Sequence, residues 1–145
     1  MTAIVIAGLL TTIAVPNFRT ILMNNRMATY SNEFVTAMSL ARSEAIKRSV
    51  NIDVVAIDDS NAANEWGAGW RVEISGGATI RTFPGLNSSA ALNSDGDTAT
   101  FQYQSSGRVS TTDTLYLCDD RDNETGRQIT IAATGRVNVS DYTCP

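Results

Sequence analysis

Histidine is absent from this chain, and with it the imidazole base that Ser/His/Asp and Cys/His nucleophilic chemistry requires. Lysine occurs once, as Lys47, at a charge-rich helix end rather than in an apolar pocket that would activate its amine. Paired carboxylates are the remaining route to general acid–base work, yet the acidic residues read as members of hydrophilic loops with no apolar context to raise a pKa. No glycine-rich phosphate loop is present. The two cysteines, Cys118 and Cys144, have no CxxC spacing and no further soft ligand type, so a zinc site is disfavoured and a disulfide is the better reading. It would close a loop holding residues 119–143 and imply an oxidising compartment, periplasmic or extracellular. The stretch Asp119-Asp120-Arg121-Asp122-Asn123-Glu124 looks superficially like a calcium loop but lacks the glycine at the sixth position and the acidic residue at the twelfth. The expectation is therefore no enzyme, no metal and no cofactor.

Charge is also missing from Met1 to Val15. That run, MTAIVIAGLLTTIAV, spans ~23 Å as a helix, short of the ~30 Å hydrocarbon core of a bilayer. A cleaved secretory signal needs a basic start and a small-residue cleavage site, and neither is found. Pro16-Asn17-Phe18-Arg19 leads directly into more helical periodicity, so the run reads as the first part of one long helix, cut short at its N-terminus. From Pro16 to Arg48, Met27, Tyr30, Phe34, Ala37, Met38, Ala41 and Ala45 recur at steps of three and four, marking one buried face. Glu44 and Arg48 form a favourable i,i+4 pair. Arg42, Lys47 and Arg48 suit a solvated helix end that complements the dipole.

After Val50 the pattern changes to short β-type segments: Asn51–Ile57, Gly69–Ile74, Thr79–Phe83, Thr98–Gln104, Thr114–Cys118, Gln128–Ala132 and Arg136–Val139. The stretches between them, Asp58–Gly67, Gly85–Asp97, Ser105–Asp113 and Asp119–Gly126, are rich in Ser, Asn, Asp and Gly and read as surface loops. One helix followed by strands predicts an α+β arrangement with the helix laid across an antiparallel sheet, or across two. Residues 1–24 form a hydrophobic stem and residues 25–145 a globular head that includes the second half of the helix. The formal net charge of −4 is uneven: residues 1–50 carry five basic against two acidic side chains, residues 51–145 six against thirteen. An acidic head argues against a broad polyanion-binding surface, though not against a local patch. Trp66, Trp70, Tyr103, Tyr116 and Tyr142, the residues able to stack on bases, read as strand residues that pack the sheet.

The segment GLLTTIAVPNFRTILMNNRMATYSNEFVTAMSLARSEAIKRSVNI resembles the N-terminal helix of type IV pilins and type II secretion pseudopilins. Within that superfamily ARSEAIKR at the helix end, Gly69-Trp70-Arg71-Val72, the Phe101 to Arg108 stretch and Thr134-Gly135-Arg136-Val137 look like the minor-pilin class called FimT/FimU, related to the H pseudopilin of type II secretion. The resemblance implies a type IV pilin-like fold. It further implies an inner-membrane single-pass subunit with a periplasmic head, later carried in a fibre at the cell surface, whose partners are other major and minor pilins met through the stem. Family members begin with a Phe-Thr-Leu-Ile-Glu-Leu-like stretch after a prepilin-peptidase site. This chain starts just beyond it, without the N-methylated residue and the assembly glutamate. Restoring about six such residues brings the apolar run to about 21, enough to span a bilayer. Pro16 matches the family's helix proline, which kinks or locally melts the helix.

The expected function is that of a non-enzymatic minor pilin in a pilus tip or priming complex. One alternative is an H-type pseudopilin of a type II secretion system. Another is capture of double-stranded DNA for natural transformation, because some FimT-like proteins contact DNA through a C-terminal Gly-Arg-x-Arg motif. Here the motif reads Gly135-Arg136-Val137-Asn138, and asparagine bonds a phosphate without neutralising it. Arg136 and Asn138, joined by Arg108, Arg127, Lys47 and Arg48, are the candidate DNA-binding residues. The opposing reading of Arg136 is a solvent-facing residue of an edge strand, with Gly135 serving a tight turn.

Overall fold

The computed structural model describes the backbone from Thr2 and side chains from Phe18 to Pro145. The apolar run 1–15 and the kink expected at Pro16 lie outside the residues whose side chains are described. Among the described residues no helix is long and apolar enough to cross a membrane.

Helix α1 runs Thr2–Arg48. After Pro16 neither glycine nor proline occurs before its end, so nothing in its second half breaks the backbone ladder. The hydroxyls of Thr29, Ser31, Thr36 and Ser43 turn back onto carbonyls three or four residues earlier, which keeps them from competing for other backbone groups. The helix stops where Ser49 takes a left-handed φ of 56°, with Lys47 and Arg48 in the last turn beside the negative end of the dipole.

Eight strands follow: β1 Ile52–Ala56, β2 Trp70–Ile74, β3 Thr79–Phe83, β4 Ala90–Ser94, β5 Thr100–Tyr103, β6 Asp113–Asp119, β7 Thr125–Ile131 and β8 Val137–Thr143. They make two four-stranded sheets of order β3-β2-β1-β5 and β4-β6-β7-β8, antiparallel throughout. The β2–β3 hairpin turns at Gly76, where φ is +68° and an added Cβ meets nothing. The α+β expectation holds in its two-sheet form.

Three readings need correction. Gly85–Asp97 is not all loop, because Ala90–Ser94 pairs with Asp119–Leu115 of β6 and buries Leu92. β8 continues through Ser140 and Asp141 to Thr143, well past Val139, since pairing with β7 holds these polar residues in the ladder. Asp58–Gly67 is a surface loop only in part. Trp66 is wholly buried off the strands, its Nε1 donating to the Thr98 carbonyl at 3.0 Å. Glu65 beside it is buried too, with Oε2 accepting from the Ser94 amide at 3.1 Å, so one carboxylate does sit in the interior.

Phe34 of α1 anchors the core. Its ring meets Trp66, Trp70 and Phe101 edge-on at centroid distances of 5.2, 5.3 and 6.5 Å, the arrangement that places positive ring edges on negative ring faces. Met27, Ala37, Met38, Ala41 and Ala45 complete the buried helix face, and the alanines let the helix approach both sheets closely. Opposite them stand Ile52, Val54, Val72, Leu115, Leu117, Ile129 and Ile131, each on the inward side of its strand. Trp70 and Tyr103 belong to this core, whereas Tyr116 and Tyr142 point outward and stay partly exposed.

Candidate functional site

Three places in the head carry arrangements that packing alone does not require. The first is where α1 leaves the head. Above Met27 one helix face is covered; below it Phe18, Ile21 and Leu22 are 62%, 56% and 43% exposed. These exposed side chains continue the apolar character of the preceding run, while Thr20, Met23 and Asn24 on the same turns are partly covered. The head grips the helix just above them. Arg121 Nη2 donates to Asn24 Oδ1 at 2.9 Å, and its guanidinium is held by Asp119 through Nε at 2.9 and 3.0 Å and through Nη2 at 2.6 Å. Asp119 is 3% and Arg121 17% exposed, so the pair is shielded from water and stronger than a surface bridge. The Asp119 hydrogen bonds hold the Arg121 pKa above its ordinary value. A cleft of about 350 Å³ lined by Arg19, Leu22, Met23, Arg26, Ser89 and Asp120 opens alongside.

The second place is the disulfide, Cys118–Cys144, with Cα atoms 5.9 Å apart. Cys118 lies on β6 and Cys144 just past β8, so the bridge passes over β7 between them. It passes at Gly126, the β7 residue beside Tyr142 in the register. A Cβ there would lie 2.4 Å from Cys144 Sγ and 2.3 Å from the Leu117 carbonyl oxygen. Glycine at 126 is thus a steric condition for the bridge. Beyond it the backbone closes on itself, Cys144 N donating to the Glu124 carbonyl at 3.0 Å and Asn123 N to the Cys144 carbonyl at 3.2 Å. The same closure fixes the loop that presents Asp119 and Arg121. Among the described residues no set of three acidic, cysteine or histidine side chains is placed to hold a metal ion.

The third place is the opposite end of the head. Two turns of one design meet there: Gly107 N donates to the Gln104 carbonyl and Gly135 N to the Ala132 carbonyl, each at 2.8 Å. Both glycines have φ +77°, a conformation costly for any side-chain-bearing residue. They also lack room, since a Cβ on Gly135 would sit 2.2 Å from the Gly107 carbonyl oxygen and 2.9 Å from the Tyr103 ring. A Cβ on Gly107 would sit 2.9 Å from Ile46 and 3.3 Å from Arg42 Nε. The Tyr103 hydroxyl donates to the Gly135 carbonyl at 3.1 Å; burial pushes its pKa up to about 12, against the opposing pull of Arg42.

Because the two glycines touch, the residues that follow them, Arg108 and Arg136, are carried to one end of the molecule. Both are exposed. The last turns of α1 bring Arg42 and exposed Lys47 to the same end. Arg48 is there as well, with its guanidinium on Glu44, and that hydrogen bond holds the Glu44 carboxyl below its usual range. Asn138 stands two residues into β8, opposite Thr130 and exposed. Arg127 is elsewhere. It pairs with Asp141 across β7 and β8, and four residues separate it from Ile131, about 13 Å along the strand from the glycine turns. The repeated Ser-Gly-Arg and Thr-Gly-Arg turns signalled Arg108 and Arg136 in the sequence. No local signal marked Arg42, or the tie from Arg121 to Asn24, since each depends on residues far apart in the chain.

The comparisons agree with this anatomy. The fold is similar to that of the Pseudomonas aeruginosa (strain PAO1) type IV minor pilin FimU. In its P21 crystal form the TM-score is 0.70 at 20% identity, over 83% of this chain and 92% of that one. In its P65 form the TM-score is 0.66 at 20% identity, over 78% of this chain and 91% of that one. No curated protein matches the sequence. The family model described as type II transport protein GspH matches residues 31–135, from the buried helix face through both glycine turns, and the chain belongs to that family, a pilin-like class of structural subunits.

Proposed function

We propose that this chain is a non-enzymatic minor pilin, a subunit of a type IV pilus tip or priming complex that supports pilus assembly. Residues 1–24 act as its stem and residues 25–145 as its head. The observation that carries the reading is the band of exposed Phe18, Ile21 and Leu22 on a helix that continues past the head. In a bilayer lipid solvates such a surface, and in a fibre the stems of neighbouring pilins cover it, so extraction never exposes it to water. The subunit starts in the inner membrane with its head in the periplasm and ends in the fibre at the cell surface. The likeness in fold to a minor pilin suits this reading, and the family model of a type II transport protein keeps the secretion machine as its alternative.

The test is Ile21→Asp in a host that carries both systems. Loss of the subunit from sheared fibres together with loss of surface pili, with protein secretion intact, supports the reading. Lost secretion with normal pili makes the chain an H-type pseudopilin. Unchanged incorporation of the variant refutes stem packing altogether.

A second reading, capture of double-stranded DNA, rests on the contact between Gly107 and Gly135 that brings Arg108 and Arg136 together. Each arginine that neutralises a phosphate contributes about one unit to the salt slope of binding. Titration of the full chain at low and physiological salt beside Arg108→Ala and Arg136→Ala tests it. Salt-sensitive binding that flattens in both variants supports capture, and absence of binding at either salt ends it.

A further inference from the structure

We infer that the outward face of the β4-β6-β7-β8 sheet is a binding surface for an uncharged polysaccharide. The register places Asn93, Tyr116, Gln128, Asn138, Ser140 and Tyr142 on that face, with the smaller Ala91, Thr114 and Thr130 between them. None of its positions is charged, although 18% of the chain is. The contrast with the other sheet is direct, because there Asp53, Arg71 and Glu73 occupy neighbouring outward positions. Charge on the second sheet falls on the alternate positions of its strands, at Asp113, Asp119, Arg127 and Asp141, leaving its outer surface to amides, hydroxyls and two phenols.

That set of groups has a chemical complement. Amides and hydroxyls each donate and accept, which is what vicinal sugar hydroxyls need. The Tyr116 and Tyr142 rings lie 4.6 Å apart, reaching toward each other across β7, where the Cys118 and Cys144 sulfurs take the space over Gly126. They offer an apolar patch for the C–H side of a pyranose and two further hydroxyls at its rim. Tyr116, Gln128, Asn138, Ser140 and Tyr142 make no side-chain hydrogen bond to other described residues, so their capacity is free for a ligand, whereas the Asn93 Oδ1 is buried and out of a ligand's reach. A groove of about 340 Å³ adjoins the face at Ala91 and Cys118, where Asn61, Ser88 and Ser89 line it together with Asp119 and Asp120, so the uncharged surface ends at that groove.

A protein partner fits less well. Four strands by about five residues cover about 320 Å² in projection, small beside the about 800 Å² of accessible surface that each partner buries in a standard protein interface. The face also lacks the large aliphatic or arginine anchors on which such interfaces depend. A polyanion is disfavoured by the absence of any cation there.

The experiment uses the full chain in a zwitterionic detergent without a sugar headgroup. Its retention is measured on immobilised neutral polysaccharides (dextran, amylose, mannan, galactan, a β-glucan) and on anionic ones (alginate, hyaluronate), at low and high salt. The expected result is retention on at least one neutral polysaccharide, equal at both salts because no screened charge takes part. Asn138→Asp/Ser140→Asp, on exposed positions that leave the core intact, should weaken it about tenfold, and so should Tyr142→Ala. Retention on none of the neutral polysaccharides overturns the inference, as does retention that both variants leave unchanged. Binding confined to alginate or hyaluronate and lost at high salt overturns it in favour of the arginine end. A cross-link from Ser140→Cys to another pilin head in intact fibres overturns it in favour of a protein contact. The inference concerns the head alone and is independent of which filament the stem joins.

Discussion

Removing the Cys118–Cys144 bridge, as Cys118→Ser/Cys144→Ser, should cost the head a large part of its stability. With a sequence separation of 26, the chain-entropy model gives about 3.5 kcal/mol at 25 °C, compared with total domain stabilities of about 5–15 kcal/mol. The fold gives a reporter, since Trp66 and Trp70 are wholly buried beside Phe34 and their fluorescence follows the core. Taking a slope of about 2 kcal/mol per molar urea, the midpoint should fall by about 1.5–2 M with the slope unchanged. Local loosening should precede global unfolding, because the bridge closes the loop that presents Asp119 and Arg121 to Asn24. Amide exchange in the double variant should therefore rise first at Asn123 and Cys144, whose amides donate across that closure. A midpoint shift below about 0.5 M at constant slope would refute the reasoning, for it would mean that pairing of β6, β7 and β8 already confines the unbridged chain.

Phe34→Ala removes the hub of the aromatic cluster and should cost about 3–5 kcal/mol by thermal or urea unfolding; a loss under about 1.5 kcal/mol would show that the tryptophans close over the gap. Gly135→Ala forces a side chain into a left-handed residue already against the Gly107 carbonyl, and should destabilise by about 3 kcal/mol or more and perturb the environment of Tyr103. Asp113 predicts a pH effect. Burial alone would raise its pKa, but hydrogen bonds from Ser94, Thr98, Thr114 and Gly96 outweigh that and hold it below the usual range. Its contribution is then present above the unfolded carboxylate pKa of about 3.9 and is lost as pH falls through the lower folded value. Urea unfolding from pH 6 downward should show a steeper acid loss in the parent than in Asp113→Asn, and parallel curves would rule Asp113 out as a source.

The helix and most strands were legible because their signals are local. The three-and-four spacing from Met27 to Ala45 is the buried face, and Thr79–Phe83 falls at its predicted limits. β4 was not legible, since Ala-Ala-Leu-Asn-Ser has little strand preference and becomes a strand only by pairing with β6. The end of β8 escaped for a related reason: an edge strand with solvent on both faces needs no alternation of apolar residues. Trp66 and Glu65 are a different failure, because a turn-rich segment folded inward around a single large ring. At the candidate sites the cysteine pair could be read from the sequence, and so could the two Gly-Arg turns. What the sequence could not supply was their distances. It gave no hint that Arg108 and Arg136 share an end, that Arg127 does not, or that one strand face is free of charge, since each is a property of register.

The continuity of α1 sets how the molecule bears load. No break in α1 separates Phe18 from Phe34, so in the fibre proposed above tension on the stem would enter the head through a rod seated in its aromatic cluster. Both sheets hang beside that rod, outside the line of pull. Tension in such a fibre would therefore leave the sheets slack until something gripped the head. Only then does force cross the interface between α1 and the strands, as shear spread over the buried helix face, with the Arg121–Asn24 tie at its stem-side edge.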